Sequence, residues 1–220
     1  MDHAFWHSRW QTQQIGFHLD QANPLLVSHF HHLALTAWQC IFVPLCGKSL
    51  DIPWLLDQGL QVVGIELSPL AVKALFQELA LTPEVDEMGA ITCYRAGPLT
   101  VFNGDFFALS QTQLKQAQVD QVDAVYDRAA LVALPADMRP RYSQHLTALT
   151  AHAKQMLVSF DYDQSLQAGP PFSVDAQAVQ QLYGKDFKLS LLADVPLAGG
   201  LKGKCPAQEQ VWLLQAKERV

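Results

Sequence analysis

The sequence predicts an α/β fold in which a mostly parallel sheet alternates with helices and ends in an antiparallel pair. Two observations carry this expectation. From residue 40 onward, short apolar runs rich in β-branched residues alternate with stretches of helical spacing, the pattern of βαβ units. Near the end, KLSLLADV and QVWLLQA stand on either side of LAGGLKGKCPAQ, which reads as two antiparallel strands joined by a loop.

Taken in order, a leading segment rich in Trp, Phe, His and Gln precedes CIFVPL, the first strand, and PWLLDQG, the first core helix. QVVGIEL is the second strand and ends on Glu66, after which Ser68 and Pro69 read as an N-cap and first-turn proline for a helix over LAVKALFQELA. AITCYR and LTVFN flank the turn-like AGP and form a hairpin whose second arm reaches Asn103-Gly104-Asp105. LSQTQLKQAQ is a polar helical patch. VDAVYD is a strand stopping at Asp127-Arg128, RPRYSQHLTALTAHA has helical spacing, and QMLVSFDYD is a further strand before the closing pair. No repeat, long linker or low-complexity block interrupts the 220 residues, so residues 1–220 read as a single domain.

Composition narrows the function classes. A formal net charge of -6 and a pI of about 5.7 set the overall field against a polyanion, so nucleic acid is not an expected partner. The four cysteines form no C-x-x-C pair and no signal segment opens the chain, which reads as reduced thiols in the cytoplasm. No apolar stretch approaches the roughly 18 residues of a membrane span. No obvious extra interface element is visible, so a monomer is the default.

In an open α/β sheet, ligands bind beyond the carboxyl ends of the strands. The residues there are Leu45, Cys46 and Gly47, then Glu66, then Asp105 and Phe106, then Asp127 and Arg128, then Asp161 and Tyr162. The first group lies in VPLCGKSLD, whose Gly-Lys-Ser suggests a phosphate loop. That motif needs a further glycine five residues before Gly47, and the position is Phe42, inside the strand. The dinucleotide fingerprint G-x-G-x-x-G is also missing. What remains is one glycine and, nineteen positions later, an acid at the next strand end. A carboxylate there suits the two vicinal hydroxyls of a ribose, and a lone glycine admits a ligand without pyrophosphate. A nucleoside without phosphates fits, and S-adenosylmethionine is such a cofactor, with Asp105 or its backbone meeting the adenine and Phe106 covering its face. On spacing alone, Glu66 could also be a solvated strand-end acid.

The blocks FWHSRWQTQQIGFH, VPLCGKSLD, VVGIELS, GDFFAL, YDRAALVALP and SFDYDQSLQAGPPFSV, in this order from about residue 5 to residue 183, resemble the thiopurine S-methyltransferase family in its bacterial form. The resemblance implies a class I methyltransferase with a three-layer Rossmann-like fold, its mostly parallel sheet seven-stranded with an antiparallel terminal hairpin. PLCGKS would replace the glycine-rich loop of other methyltransferases. The cofactor would be S-adenosyl-L-methionine, with S-adenosyl-L-homocysteine as product. By the same resemblance, Trp10, Leu45, Glu66 and Arg128 line the cofactor site with Trp6 and Gly47, and Asp105 and Phe106 form its adenine side. Residues 1–35 would be an N-terminal helical lid on the 36–220 core, with Phe17 facing the acceptor. On spacing alone, Trp6 and Trp10 lie one helical turn apart and read as a core stripe.

The implied activity is methyl transfer to a small-molecule aromatic or heterocyclic thiol such as a thiopurine. Members of the family are also associated with methylating selenium and tellurium species, so detoxification of xenobiotics or metalloids is the implied role. A non-enzymatic nucleotide-binding α/β domain is the rival from another class, against which the intact strand-end motifs argue. Arg128 could bond the cofactor carboxylate as a bidentate fork or favour ionisation of the acceptor thiol, and sequence leaves both open. His29, His31 and His32 lack the i, i+4 spacing of a helical zinc site, so no metal is expected. Cys46, with no His nearby, reads as a small packing residue rather than a nucleophile. The 196–209 loop, with Lys202 and Lys204, stays unassigned.

Overall fold

The computed structural model describes residues 3–16 and 18–218, and the chain divides into two compact units meeting at Asp123 and Ala124 in sequence. The first unit opens with α1 (His3–Gln11) and α2 (Pro24–His29). Asn23 caps α2 by accepting from the Leu25 and Leu26 N–H groups, and its own N–H donates to the buried Asp51 carboxylate at 2.7 Å. That carboxylate starts α3 (Asp51–Asp57), so one acid fixes the leading segment to the first core helix. Between them, β1 (Cys40–Val43) is buried along its whole length, as expected of a strand covered on both faces. Asp123 sets where β1 begins, its carboxylate accepting the Cys40 N–H at 2.8 Å.

The unit continues through β2 (Gln61–Glu66), α4 (Pro69–Glu78), β3 (Glu84–Met88), β4 (Ile91–Ala96), β5 (Leu99–Asn103) and α5 (Gln111–Gln116). Its strand order is β3-β4-β5-β2-β1, with β1, β2 and β5 parallel and the β3-β4-β5 meander antiparallel. Parallel pairing brings the carboxyl ends of β1, β2 and β5 to one edge, which is what gathers Gly47, Glu66 and Asp105. Phe42 lies wholly buried inside β1, so the phosphate cradle is excluded by packing as well as by spacing.

The second unit holds β6 (Ala124–Arg128), α6 (Arg139–Leu149), β7 (Lys154–Asp161), α7 (Ala176–Tyr183), β8 (Phe187–Pro196) and β9 (Gln208–Ala216). β6 and β7 are parallel, and β9 pairs antiparallel with both β7 and β8. The closing antiparallel pair is therefore present. The strand count departs from the expected seven: the described residues hold nine, because β3 and β4 extend the sheet beyond β5. α7, capped by Asp175 on the Ala178 N–H, was not expected either. Ser68 stands at the N-cap position of α4 but its hydroxyl makes no cap bond; its N–H donates instead to Glu66 at 2.7 Å.

Candidate active site

The centre of the first unit's strand-end edge is the turn after β1. Leu45 and Gly47 both adopt left-handed backbone, φ 46° and 55°, and the Cys46 N–H carries the ladder one step further by donating to the Ile65 carbonyl at 2.9 Å. A leucine held in that region costs about 1–2 kcal/mol, which the surrounding ladder and packing must offset. Gly47 has a second reason to be glycine. A Cβ there would stand 3.0 Å from the Trp10 ring, so the indole of α1 lies directly on the turn. Trp10 is 5% exposed, whereas Trp6, one turn earlier, is half-buried with its ring edge-on to Phe5 at 5.1 Å.

Glu66, at the end of β2, closes the turn from below. Its Oε2 accepts the Gly47 N–H at 2.9 Å and its Oε1 accepts the Ser68 N–H at 2.7 Å. Burial pushes its carboxyl up to about 7, with the Ser68, Gly47 and Leu67 N–H groups pulling in the opposite direction. Two oxygens offer about four acceptor positions, so the three backbone N–H groups do not exhaust them. Glu66 is thus an acceptor aimed at the glycine turn, not a solvated strand-end acid.

The remaining edge is built around β5. Asp105 caps a short 3-10 turn, its Oδ1 accepting the Phe107 N–H at 3.0 Å, while its Oδ2 lies 3.5 Å from Nε2 of His3 on α1. Phe106 is wholly buried, with the Phe107 ring edge-on at 5.4 Å. Lys48 pairs with Glu78 at the end of α4, which removes it from any phosphate role. Cys46 fills the space left by the missing side chain of Gly64, where a Cβ would stand 2.7 Å from its sulfur. Burial, then the Glu66 charge, hold its thiol well above the usual range, so it stays protonated and unreactive.

In the second unit, Arg128 ends β6, half-buried and opposite Val158 on β7. The preceding Asp127 is fully buried, its Oδ2 accepting the Tyr142 hydroxyl at 2.7 Å and its Oδ1 the Leu131 N–H at 3.1 Å. Burial pushes it up to about 6. The loop at residues 169–173 is anchored from several sides. Arg139 Nη1 donates to the Ser173 carbonyl at 3.0 Å, the Tyr162 hydroxyl to Pro171 at 2.7 Å, and Lys202 Nζ to Pro170 at 2.7 Å. Arg139, Tyr142 and Tyr162 are therefore supporting groups; of these, spacing singled out only Tyr162, as a strand-end residue. The 196–209 loop walls a hollow of about 440 Å³ beside Lys204 and Cys205. Phe17, expected to face an acceptor, lies outside the described residues. Among the described residues no His, Cys, Asp and Glu group could hold a metal, and no helix is long and apolar enough to cross a membrane.

Comparison with known proteins places this geometry. Among solved structures, a methyltransferase from Burkholderia thailandensis that acts on 1,6-didemethyltoxoflavin, solved with bound S-adenosylhomocysteine, superposes with a TM-score of 0.65 at 13% identity, covering 98% of this chain and 87% of its own. A SAM-dependent methyltransferase from Anabaena variabilis superposes with a TM-score of 0.63 at 14% identity, covering 98% and 95%. These likenesses establish the Rossmann-like methyltransferase fold. In sequence, the thiopurine S-methyltransferase of Xanthobacter autotrophicus is 53% identical over 98% of this chain and 99% of its own length. That of Acinetobacter baylyi is 45% identical over 99% and 100%. With the family model for thiopurine S-methyltransferase matching residues 1–215, the chain belongs to the thiopurine S-methyltransferase family.

Proposed function

We propose that this chain transfers the methyl group of S-adenosylmethionine to the sulfur of an aromatic or heterocyclic thiol, with the cofactor's ribose held by Glu66 over the Leu45–Gly47 turn. The observation that carries the reading is the Glu66 carboxylate, buried, bonded to Gly47 and with acceptor capacity left for a ligand hydroxyl. Gly47, at the end of that turn, has no room for a side chain beneath the Trp10 ring. Trp10 and Trp6 supply an aromatic cover, and Asp105 and Phe106 the adenine-side wall.

The sulfonium of the bound cofactor supplies an already activated methyl group. The chain's task is then alignment and exclusion of water, which contribute roughly 7 to 11 kcal/mol in favourable intramolecular systems. No residue forms a covalent bond in this reading, since the Cys46 thiol is buried and protonated. A cation at Arg128 favours the ionised form of an acceptor thiol, so no dedicated base is needed. The further reading is of a cytoplasmic monomer that detoxifies small molecules and does not bind nucleic acid; a net charge of -6 and four buried free cysteines support it.

The test is to incubate the protein with methyl-labelled S-adenosylmethionine and a panel of aromatic thiols, alkyl thiols, selenite and tellurite. Label should pass fastest to the aromatic thiols. Transfer to selenite or tellurite alone would replace the thiol with a metalloid acceptor, and transfer to none would reject the reading.

A further inference from the structure

Asn103, the last residue of β5, is the register partner of Glu66. Its Nδ2 donates to two successive carbonyls, that of Glu66 at 2.9 Å and that of Leu67 at 3.1 Å. The Gly104 N–H also donates to the Glu66 carbonyl, at 3.0 Å. A strand end normally frays; here one side-chain amide extends the ladder past its last rung. Gly104, at φ 153°, is required for this, because a Cβ there would stand 2.5 Å from Ile91 Cδ1 and 2.9 Å from the Ala90 carbonyl.

The consequence follows from peptide planarity. The Leu67 carbonyl and the Ser68 N–H belong to one peptide unit, and in a trans unit they point in opposite directions. Asn103 holds the oxygen of that unit, and the N–H at its other side donates to Oε1 of Glu66, with N and O 2.7 Å apart. Fixing one end fixes the other. We propose that Asn103 is the positioning residue for the Glu66 carboxylate, aiming the Ser68 N–H at Oε1 so that the carboxylate's remaining acceptor capacity faces the ribose hydroxyls. The proposal rests on the reading that Glu66 holds a ribose.

Few charges surround the pair. From the β1 side the titratable group facing Glu66 is Cys46, whose thiol stays neutral. After β5, the Asp105 carboxylate is committed to the Phe107 N–H and faces His3. Lys48 is paired with Glu78. Among the described residues, substitutions at position 103 therefore act on a carboxylate with no strong charge already beside it.

The experiment is calorimetric titration of the full chain with S-adenosylhomocysteine from pH 5.5 to 8.5, for wild type, Asn103→Ala, Asn103→Asp and Glu66→Gln. Both Asn103 variants should bind at least tenfold more weakly at pH 8. Their pH midpoints should move in opposite directions. Asn103→Asp sets a second carboxylate near Glu66 and raises the midpoint, while Asn103→Ala opens the strand end to water and lowers it. Midpoints that stay at the wild-type value, or affinities within twofold of wild type, overturn the proposal. Should Asn103→Ala not fold, Asn103→Ser, which keeps one donor, takes its place with a smaller shift in the same direction. Glu66→Gln separates the two levels. If it binds as wild type with the wild-type pH profile, the ribose reading itself is wrong; if it loses the pH dependence while the Asn103 variants keep the wild-type midpoint or affinity, only the positioning role fails.

Discussion

Gly47 and Glu66 are joined directly: the glycine N–H donates to Oε2 of the glutamate at 2.9 Å, tying the turn after β1 to the end of β2. Both residues are thereby part of one cradle rather than two adjacent loops. The carboxylate is buried, 6% exposed, and burial pushes its pKa up to about 7. Ribose hydroxyls donate to an ionised carboxylate better than to a protonated one. Affinity for S-adenosylhomocysteine should therefore rise as pH increases through about 7, with a proton released on binding below that pH. Titration in buffers of different ionisation enthalpy measures the proton directly. Glu66→Gln should bind at least tenfold more weakly at pH 8 and show no pH dependence.

The same burial works against the ligand-free fold at higher pH. Glu66 and Asp127 ionise in the unfolded chain near the ordinary carboxylate values but in the folded chain only near 7 and 6. The folded state thus binds more protons between those limits, and stability falls as pH rises through them. For Glu66 the effect is on the order of 3 kcal/mol at most, with a somewhat smaller one for Asp127. Thermal unfolding of the ligand-free chain should show a lower Tm at pH 8 than at pH 5. Glu66→Gln should flatten that slope, and an unchanged slope in the variant would contradict the assignment.

Gly64 offers a packing test that is separate from ligand chemistry. It sits inside β2, where glycine weakens a strand, and its missing side chain is replaced by the Cys46 sulfur. Gly64→Ala should overpack the site and lower stability by about 1–3 kcal/mol. Adding Cys46→Ala should recover much of that loss, because the two changes share one space. Denaturant unfolding of both single variants and the double variant measures the coupling. Cys46→Ala alone should keep methyl-transfer turnover, whereas a thiol nucleophile would lose it.

The parallel strands and their terminal residues could be read from the sequence because burial on both faces leaves nearly continuous apolar runs, CIFV and VVGI, the first broken at Pro44 and the second at Glu66. β3 could not. EVDEM alternates acids with Val85 and Met88, and as an edge strand it keeps those acids in solvent, paired across the ladder with Arg95. α7 was hidden for a related reason: DAQAVQQLY buries only Val179 and Tyr183, too few apolar residues for a clear period. At the site, Glu66 and Gly47 were visible as strand-end residues, but the hydrogen bond between them was not. Asn103, Asp127 and Tyr142 act on neighbours through partners distant in sequence, which spacing does not encode. Ser68 shows the reverse, since its sequence position suggests a helix cap while its N–H serves Glu66.

Arg128 carries the remaining choice between cofactor and acceptor. It ends β6, directly after an aspartate locked by Tyr142 and Leu131, so its backbone is firmly placed. If its charge favours the acceptor thiolate, Arg128→Gln should raise the apparent pKa of the bound thiol. The kcat/KM profile for an aromatic thiol would then shift to higher pH, with the largest loss below the thiol's own pKa and convergence toward wild type above it. Arg128→Lys keeps the charge and should keep the profile's midpoint, while losing the planar fork that binds a carboxylate bidentately. A cofactor role predicts another pattern: weaker S-adenosylhomocysteine binding in both variants, equal at every pH, with the acceptor profile unmoved. We expect the acceptor pattern, and measuring both profiles on the three proteins decides between them.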